Sequence, residues 1–181
     1  PGLRSTRGMS LKQCTLEAIG CSHHGCAELA TLSQQKILHI YTDGSGCHDT
    51  DVNATWSFAV TSVGEDFVCD LHGLLWGPVV LDASAAAYLG AETNDCGAAE
   101  ISAIAFTLLW LLQADLPPLQ HVCIHYDATF AYGVASGTQN TQHHPSMVSL
   151  VRGLMSVVCM RVSVQFYWVK WHSGDAWNEL A

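Results

Sequence analysis

Three carboxylates stand where short apolar segments begin or end: Asp43, Glu100 and Asp127. Asp43 closes the run Ile37-Leu38-His39-Ile40-Tyr41-Thr42 and precedes Gly44-Ser45-Gly46. Asp127 closes Val122-Cys123-Ile124-His125-Tyr126, and Glu100 opens the apolar pattern from Ile101 to Leu112. A carboxylate at a strand end is exposed to ligand yet held on a rigid scaffold. Several that converge make an oxygen site for a hard cation. Two divalent ions held by shared carboxylates are a standard device for phosphodiester hydrolysis. Taken singly, each acid also has a plainer reading. Asp43 before Gly-Ser suits a turn, Glu100 suits a helix N-terminus, and Asp127 suits the cap of a helix beginning at Ala128.

The elements that must position these acids follow from periodicity and punctuation. β-branched and aromatic residues bounded by turn residues predict strands over Ile37 to Thr42, Thr55 to Ser62 and Val68 to Leu75, with Gly64-Glu65-Asp66 as a hairpin turn. Residues 77–97 read as a looser stretch. A helix from about Ala98 to Gln113 is apolar all round and is expected to be buried, with Glu100 on its first turn. Pro117-Pro118 prevents its continuation. A fourth strand over Val122 to Tyr126 is followed by a short helix from Ala128 to Ser136, stopped by Gly137. A helix over Ser146 to Cys159 takes Ser146 as its N-cap. A fifth strand runs from Val162 to Lys170, and a last helix begins at Asp175. This order predicts an α/β fold: a mixed five-stranded sheet, three antiparallel strands first, flanked by helices.

The segments Tyr-Thr-Asp-Gly-Ser at 41–45, Ala-Glu-Ile-Ser-Ala-Ile at 99–104, Ile-His-Tyr-Asp at 124–127 and Trp-Val-Lys-Trp-His-Ser-Gly-Asp-Ala-Trp-Asn-Glu-Leu-Ala at 168–181 stand in this order. Together they resemble type 1 ribonuclease H, in the style of the domains found in retroelement polyproteins beside a reverse transcriptase. The resemblance spans residues 37–181. It implies a ribonuclease H-like sheet with strands one and four adjacent at its centre. It also implies an endonuclease that cuts the RNA strand of an RNA–DNA hybrid, leaving 5′-phosphate and 3′-hydroxyl ends. Asp43, Glu100 and Asp127 match metal-ligand positions of the family, for two Mg²⁺ ions or for Mn²⁺. His172 matches its loop histidine, a proton shuttle suited to imidazole near neutral pH, and Gly174 gives that loop mobility. Ser45 and Gly46 would bring backbone N–H groups to the RNA strand. Asn94, offset from the usual position, would reach its minor groove, and Asn178 matches the tail asparagine. The slot for the family's fourth acid falls immediately past Ala181. The last helix is therefore expected to be truncated, the metal bound more weakly and cleavage slow or absent.

Composition limits the alternatives. The chain has 181 residues, 49% hydrophobic, and suits one domain with a leader. Residues 1–36 carry Arg4, Arg7, Lys12 and Lys36 and read as a linker from a preceding domain; the lack of an initiator Met suggests a piece of a longer product or a processed form. No apolar h-region or membrane span is evident, and the eight cysteines are expected to be reduced thiols of an intracellular protein, nuclear or cytoplasmic. Cys123 and Cys159 read as core fillers. Cys21-Ser22-His23-His24-Gly25-Cys26 holds zinc-ligand types at a non-standard spacing. His48, Asp49 and Asp51 read as a solvated loop, and His143-His144 as a loop pair. Trp168, Trp171 and Trp177 could stack on nucleobases, with core packing preferred for Trp168.

Charge opposes the nuclease reading. The net charge is −9, and residues 37–181 hold three basic side chains (Arg152, Arg161, Lys170) against fourteen acidic ones. Phosphate neutralisation supplies most non-specific affinity for nucleic acid, so intrinsic binding is expected to be weak. A ribonuclease H-like module without activity, packing on a partner, is the competing expectation. An integrase- or resolvase-type nuclease on the same fold is disfavoured by the His-Ser-Gly and Asn-Glu-Leu-Ala tail.

Overall fold

Leu38 and Ile40 on the first strand, Phe58 and Val60 on the second and Val122 and Ile124 on the fourth are at most 1% exposed, and their alternation turns one face of a sheet to the core. The structure is a computed structural model describing residues 37–46, 53–63, 69–116, 121–170 and 176–181. Its elements are β1 (Ile37–Ser45), β2 (Thr55–Val63), β3 (Cys69–Pro78), α1 (Cys96–Gln113), β4 (His121–Tyr126), α2 (Thr129–Ser136), α3 (Pro145–Arg161) and β5 (Ser163–Trp168). The sheet order is β3-β2-β1-β4-β5. β2 runs antiparallel to both β1 and β3, whereas β1, β4 and β5 are mutually parallel. This is the expected mixed sheet, with β1 and β4 paired at its centre. Parallelism brings the carboxyl ends of β1, β4 and β5 to one edge, and Asp43 and Asp127 stand there.

α1 crosses the sheet and touches β1, β2, α2 and α3. Twelve of its residues are buried, which is why its apolar pattern has no polar side. By length and composition it would pass for a membrane span, yet it is the core helix of this layer. Phe106 stacks on Trp56 of β2 with ring centroids 3.9 Å apart, and Ile101, Ile104, Leu108 and Leu111 are at most 1% exposed. On the other face of the sheet, Tyr41 and His39 of β1 stack on His125 of β4, which stacks in turn on Tyr167 of β5.

Several element ends differ from expectation. α1 starts at Cys96 rather than Ala98, because Asp95 is its N-cap and accepts from Ala98 N at 2.8 Å. Glu100 therefore sits in the second turn, not the first. Ser146 is not the cap of α3: Pro145 takes the first helical position, where its missing N–H costs nothing, and His144 becomes the N-cap with φ +54°. Asp127 does not cap α2, whose N-cap is Ala128 without a side-chain hydrogen bond. Gly137 ends α2 as expected, in the left-handed conformation (φ +78°) that costs glycine little. Cys123 is buried but Cys159 is exposed, since it falls on the outer side of α3. Trp168 is also no core residue: β5 is an edge strand, and the ring at its end is 56% exposed. The 1–36 leader with its Cys21–Cys26 cluster, the His48-Asp49-Asp51 loop, the Gly64–Asp66 turn and Pro117-Pro118 lie outside the described residues.

Candidate active site

The carboxylates of Asp43, Glu100 and Asp127 each offer an oxygen, and these atoms lie within 4.8 Å of one another. Asp43 comes from the end of β1, Asp127 from the residue after β4, and Glu100 from the second turn of α1. The close approach of α1 to β1 depends on Gly44. A Cβ there would lie 2.6 Å from Ala99 C and 2.7 Å from Glu100 Cα, closer than real side chains come. Gly46 packs equally tightly on the first residue of the helix, since its Cβ would lie 2.7 Å from Cys96 N. Gly44→Ala is expected to push α1 off β1 and lower stability by about 1–3 kcal/mol, as overpacking does. A thermal melt of this variant in metal-free buffer, unchanged from the parent chain, would contradict the contact.

Electrostatics at the cluster are unfavourable without a counter-charge. Burial, then the negative charges of Asp127 and Asp43, push the Glu100 carboxyl up to about 9, against a backbone N–H from Gly44 that favours its ionised form. Asp127 Oδ1 is buried and has no hydrogen-bond partner among the described residues. A buried oxygen left without a donor is costly, and a cation would satisfy it. The donor set is oxygen alone, which suits Mg²⁺, Mn²⁺ or Ca²⁺ rather than a thiophilic metal. The three acids fit a divalent ion on these grounds.

Around the cluster, a second set of residues fixes the backbone. Trp168 Nε1 donates to Asp127 O at 3.2 Å, and Val169 N donates to Tyr126 O at 2.8 Å, tying the end of β5 to the end of β4. Thr42 Oγ1 donates to His125 O at 3.1 Å across β1 and β4. Residues 176–181 return to the same edge: Ser57, the cross-strand partner of Asp43, donates its hydroxyl to Ala181 O. At the entry to α1, His144 is buried. It accepts from Glu92 N at 3.1 Å through Nδ1, leaving Nε2 to meet Asp95 Oδ2 at 3.3 Å. Burial opposes ionisation of Asp95, but the Thr93 hydroxyl, the Ala98 N–H and His144 together hold its carboxyl below the usual range.

The fold belongs to a known class. No protein-family model matches the chain, and no curated protein sequence does. Among solved structures it is similar to LC9-RNase H1, a type 1 RNase H with the type 2 active-site motif, at 12% identity over 84% of this chain and 71% of that one, with a TM-score of 0.54. The fold is that of ribonuclease H. RNase H1 from the halophilic archaeon Halobacterium salinarum matches at 13% identity over 80% of this chain and 91% of its own (TM-score 0.52). LC11-RNase H1, solved in complex with an RNA/DNA hybrid, matches at 16% over 79% and 92% (TM-score 0.52).

Within this ribonuclease H fold the other expected site residues fall as follows. Ser45 is exposed at the end of β1 beside Gly46. Asn94 accepts from Ala54 N at 2.7 Å and donates to Asn53 at 3.4 Å, so its amide pins the approach to β2. Asn178 is 7% exposed, a buried residue of the tail. His172, together with Trp171, Gly174 and Asp175, lies outside the described residues. Sequence reasoning missed Asp95, His144 and the Trp168–Asp127 bond. Asp95 was findable, as a preferred capping residue directly before an apolar helix pattern. The other two join residues 52 and 41 positions apart, and no local pattern announces them.

Proposed function

We propose that this chain is a metal-dependent endonuclease that hydrolyses the RNA strand of RNA–DNA hybrids, inside the cell and as part of a retroelement polypeptide that also carries a reverse transcriptase. The observation that carries the proposal is the convergence of Asp43, Glu100 and Asp127 within 4.8 Å at the carboxyl edge of parallel strands. The ribonuclease H fold and a structural neighbour solved with an RNA/DNA hybrid support the choice of substrate.

In this reading the three carboxylates hold the divalent ions, Mg²⁺ by preference and Mn²⁺ as a substitute. The chemistry those ions supply when bound is activation of a water and stabilisation of charge on the leaving 3′ oxygen. The protein's own part is positioning. Gly44 brings Glu100 up to Asp43, and Trp168 and Thr42 fix the strand ends that carry the two aspartates. Ser45 and Gly46 offer backbone N–H groups to the RNA strand, whereas Asn94, whose amide is held by Ala54 and Asn53, and the buried Asn178 take structural roles. His172 relays a proton. A labelled RNA annealed to DNA, to RNA or to nothing tests the proposal. Cleavage is expected in the hybrid only, with Mg²⁺ or Mn²⁺ and not with EDTA, leaving 3′-hydroxyl ends.

One observation favours a second reading, a ribonuclease H-like module that packs on a partner without cutting. Arg152 bonds Val134 O, Gln139 O and Asn140, and Arg161 bonds Leu112 O and Ala114 O. Both guanidinium groups thus hold helix ends and loops, and Lys170 remains as the exposed basic side chain without such a task among the described residues. Calorimetric titration with Mg²⁺ and Mn²⁺ separates the readings, because a nuclease must bind one of them.

A further inference from the structure

The shortage of basic side chains leaves a hybrid-binding domain without its usual source of affinity. Two of the three cations in residues 37–181 are engaged by backbone carbonyls. Fourteen acidic residues oppose the approach of a phosphate backbone. With Lys170 as the one uncommitted basic side chain among the described residues, affinity near the carboxylates needs a source besides counterion release. Aromatic faces provide one, since packing an aromatic ring on a sugar needs no positive charge.

Trp168 is the residue placed for that task. It ends β5 at the same edge as Asp43 and Asp127, level with Tyr126 in the β4 register. Its indole N–H is anchored on the carbonyl of Asp127 itself, at 3.2 Å, yet the side chain is 56% exposed. Large exposed apolar side chains are common singly. One tied by its polar atom to the backbone of a candidate metal ligand, with most of its apolar body in solvent, is not explained by packing. The anchored N–H fixes the ring, so little side-chain freedom is lost when something lies against it. We propose that Trp168 is a substrate-contacting residue, whose ring packs on a sugar of the hybrid beside the carboxylate cluster while its N–H positions Asp127. This deepens the nuclease reading and rests on it.

Two variants separate the two roles. Trp168→Phe keeps an aromatic face and removes the N–H; Trp168→Ala removes both. Binding of the full chain to a fluorescein-labelled RNA–DNA hybrid, measured in Ca²⁺, gives the affinity, and cleavage in Mg²⁺ gives kcat and KM. Trp168→Ala is expected to weaken binding roughly tenfold, the scale of one lost aromatic contact. That factor should persist as salt is raised, because no phosphate contact is involved. Trp168→Phe is expected to keep affinity and KM within about twofold while lowering kcat. Thermal melts of both variants should stay close to the parent, since the side chain is exposed. Unchanged affinity in Trp168→Ala, with the parent chain binding the hybrid, overturns the contact while leaving the nuclease reading intact. A parent chain that binds no hybrid at all overturns both.

Discussion

Asp127→Asn is expected to lower hybrid cleavage by at least about a thousandfold without unfolding the protein. A bound divalent ion contributes several kcal/mol of transition-state charge stabilisation, and each 1.36 kcal/mol is tenfold in rate. Removing one of the three carboxylates that would hold the ion forfeits most of that. The exchange is nearly isosteric, so β4 and the Trp168 bond to the Asp127 carbonyl are retained. Asp127 Oδ1 has no hydrogen-bond partner among the described residues, and its neighbours are the carboxylates of Asp43 and Glu100. An amide there removes a negative charge from the crowded cluster and can donate to a neighbouring carboxyl oxygen. The metal-free melting temperature should therefore stay level or rise while single-turnover cleavage collapses. A rate within tenfold of the parent would show that Asp127 holds no catalytic ion. A loss of rate accompanied by a fallen melting temperature would instead mark Asp127 as structural.

The expectation for Asp127 is legible in the sequence, and the reason is physical. β-branched and aromatic runs that stop at an acid, as Thr42-Asp43 and Tyr126-Asp127 do, mark strand ends, and strand ends are where side chains face ligand. The all-round apolar pattern of Ile101 to Leu112, interrupted by Ser102 and Thr107 and too short for a span, reads as a buried helix, which brings Glu100 against the sheet. Pairing of β1 with β4 came from the resemblance, not from periodicity, which does not encode strand order. What stayed hidden depends on tertiary neighbours. Trp168 reads as a core residue because its composition is apolar; its exposure follows from β5 lying at the sheet edge. His144 adopts φ +54° where Glu92 and Asp95 hold its backbone and ring. Neither partner is near in sequence. Cys159 fails as a core filler for a similar reason: the apolar content of α3 exceeds the face it buries, and Val157 and Met160 are left outside with it. The anchoring of Arg152 and Arg161 on carbonyls was equally illegible, and it sharpens the charge problem that composition had already posed.

Glu100→Gln is expected to stabilise the metal-free protein, and to do so more strongly as pH rises. In the folded chain the Glu100 carboxyl is pushed up to about 9, against 4.5 for an ordinary glutamate. Between those values the folded state binds a proton that the unfolded state has released, so stability falls with rising pH across this window. Below about pH 4.5 both states are protonated and the group contributes nothing to the balance. At pH 7 the difference corresponds to on the order of 3 kcal/mol of lost stability, and for a chain of this size to roughly 6–12 °C in melting temperature. Removing Glu100 removes the burial penalty on its charged form and its repulsion with Asp127 and Asp43. The parent chain's metal-free melting temperature should thus decline from pH 5 to pH 8, and that of Glu100→Gln should decline far less. Saturating Mg²⁺ should reverse the ranking, since an ion binding only the folded state adds RT ln(1 + [L]/Kd) and the amide variant has lost a charged ligand. Parallel pH profiles for the two proteins, with no crossing on adding the ion, would mean that Glu100 does not share a pocket with Asp43 and Asp127 in solution. The same crossing, if seen, reports the cluster's affinity for a cation without any need for turnover, and so measures the site even where cleavage is slow.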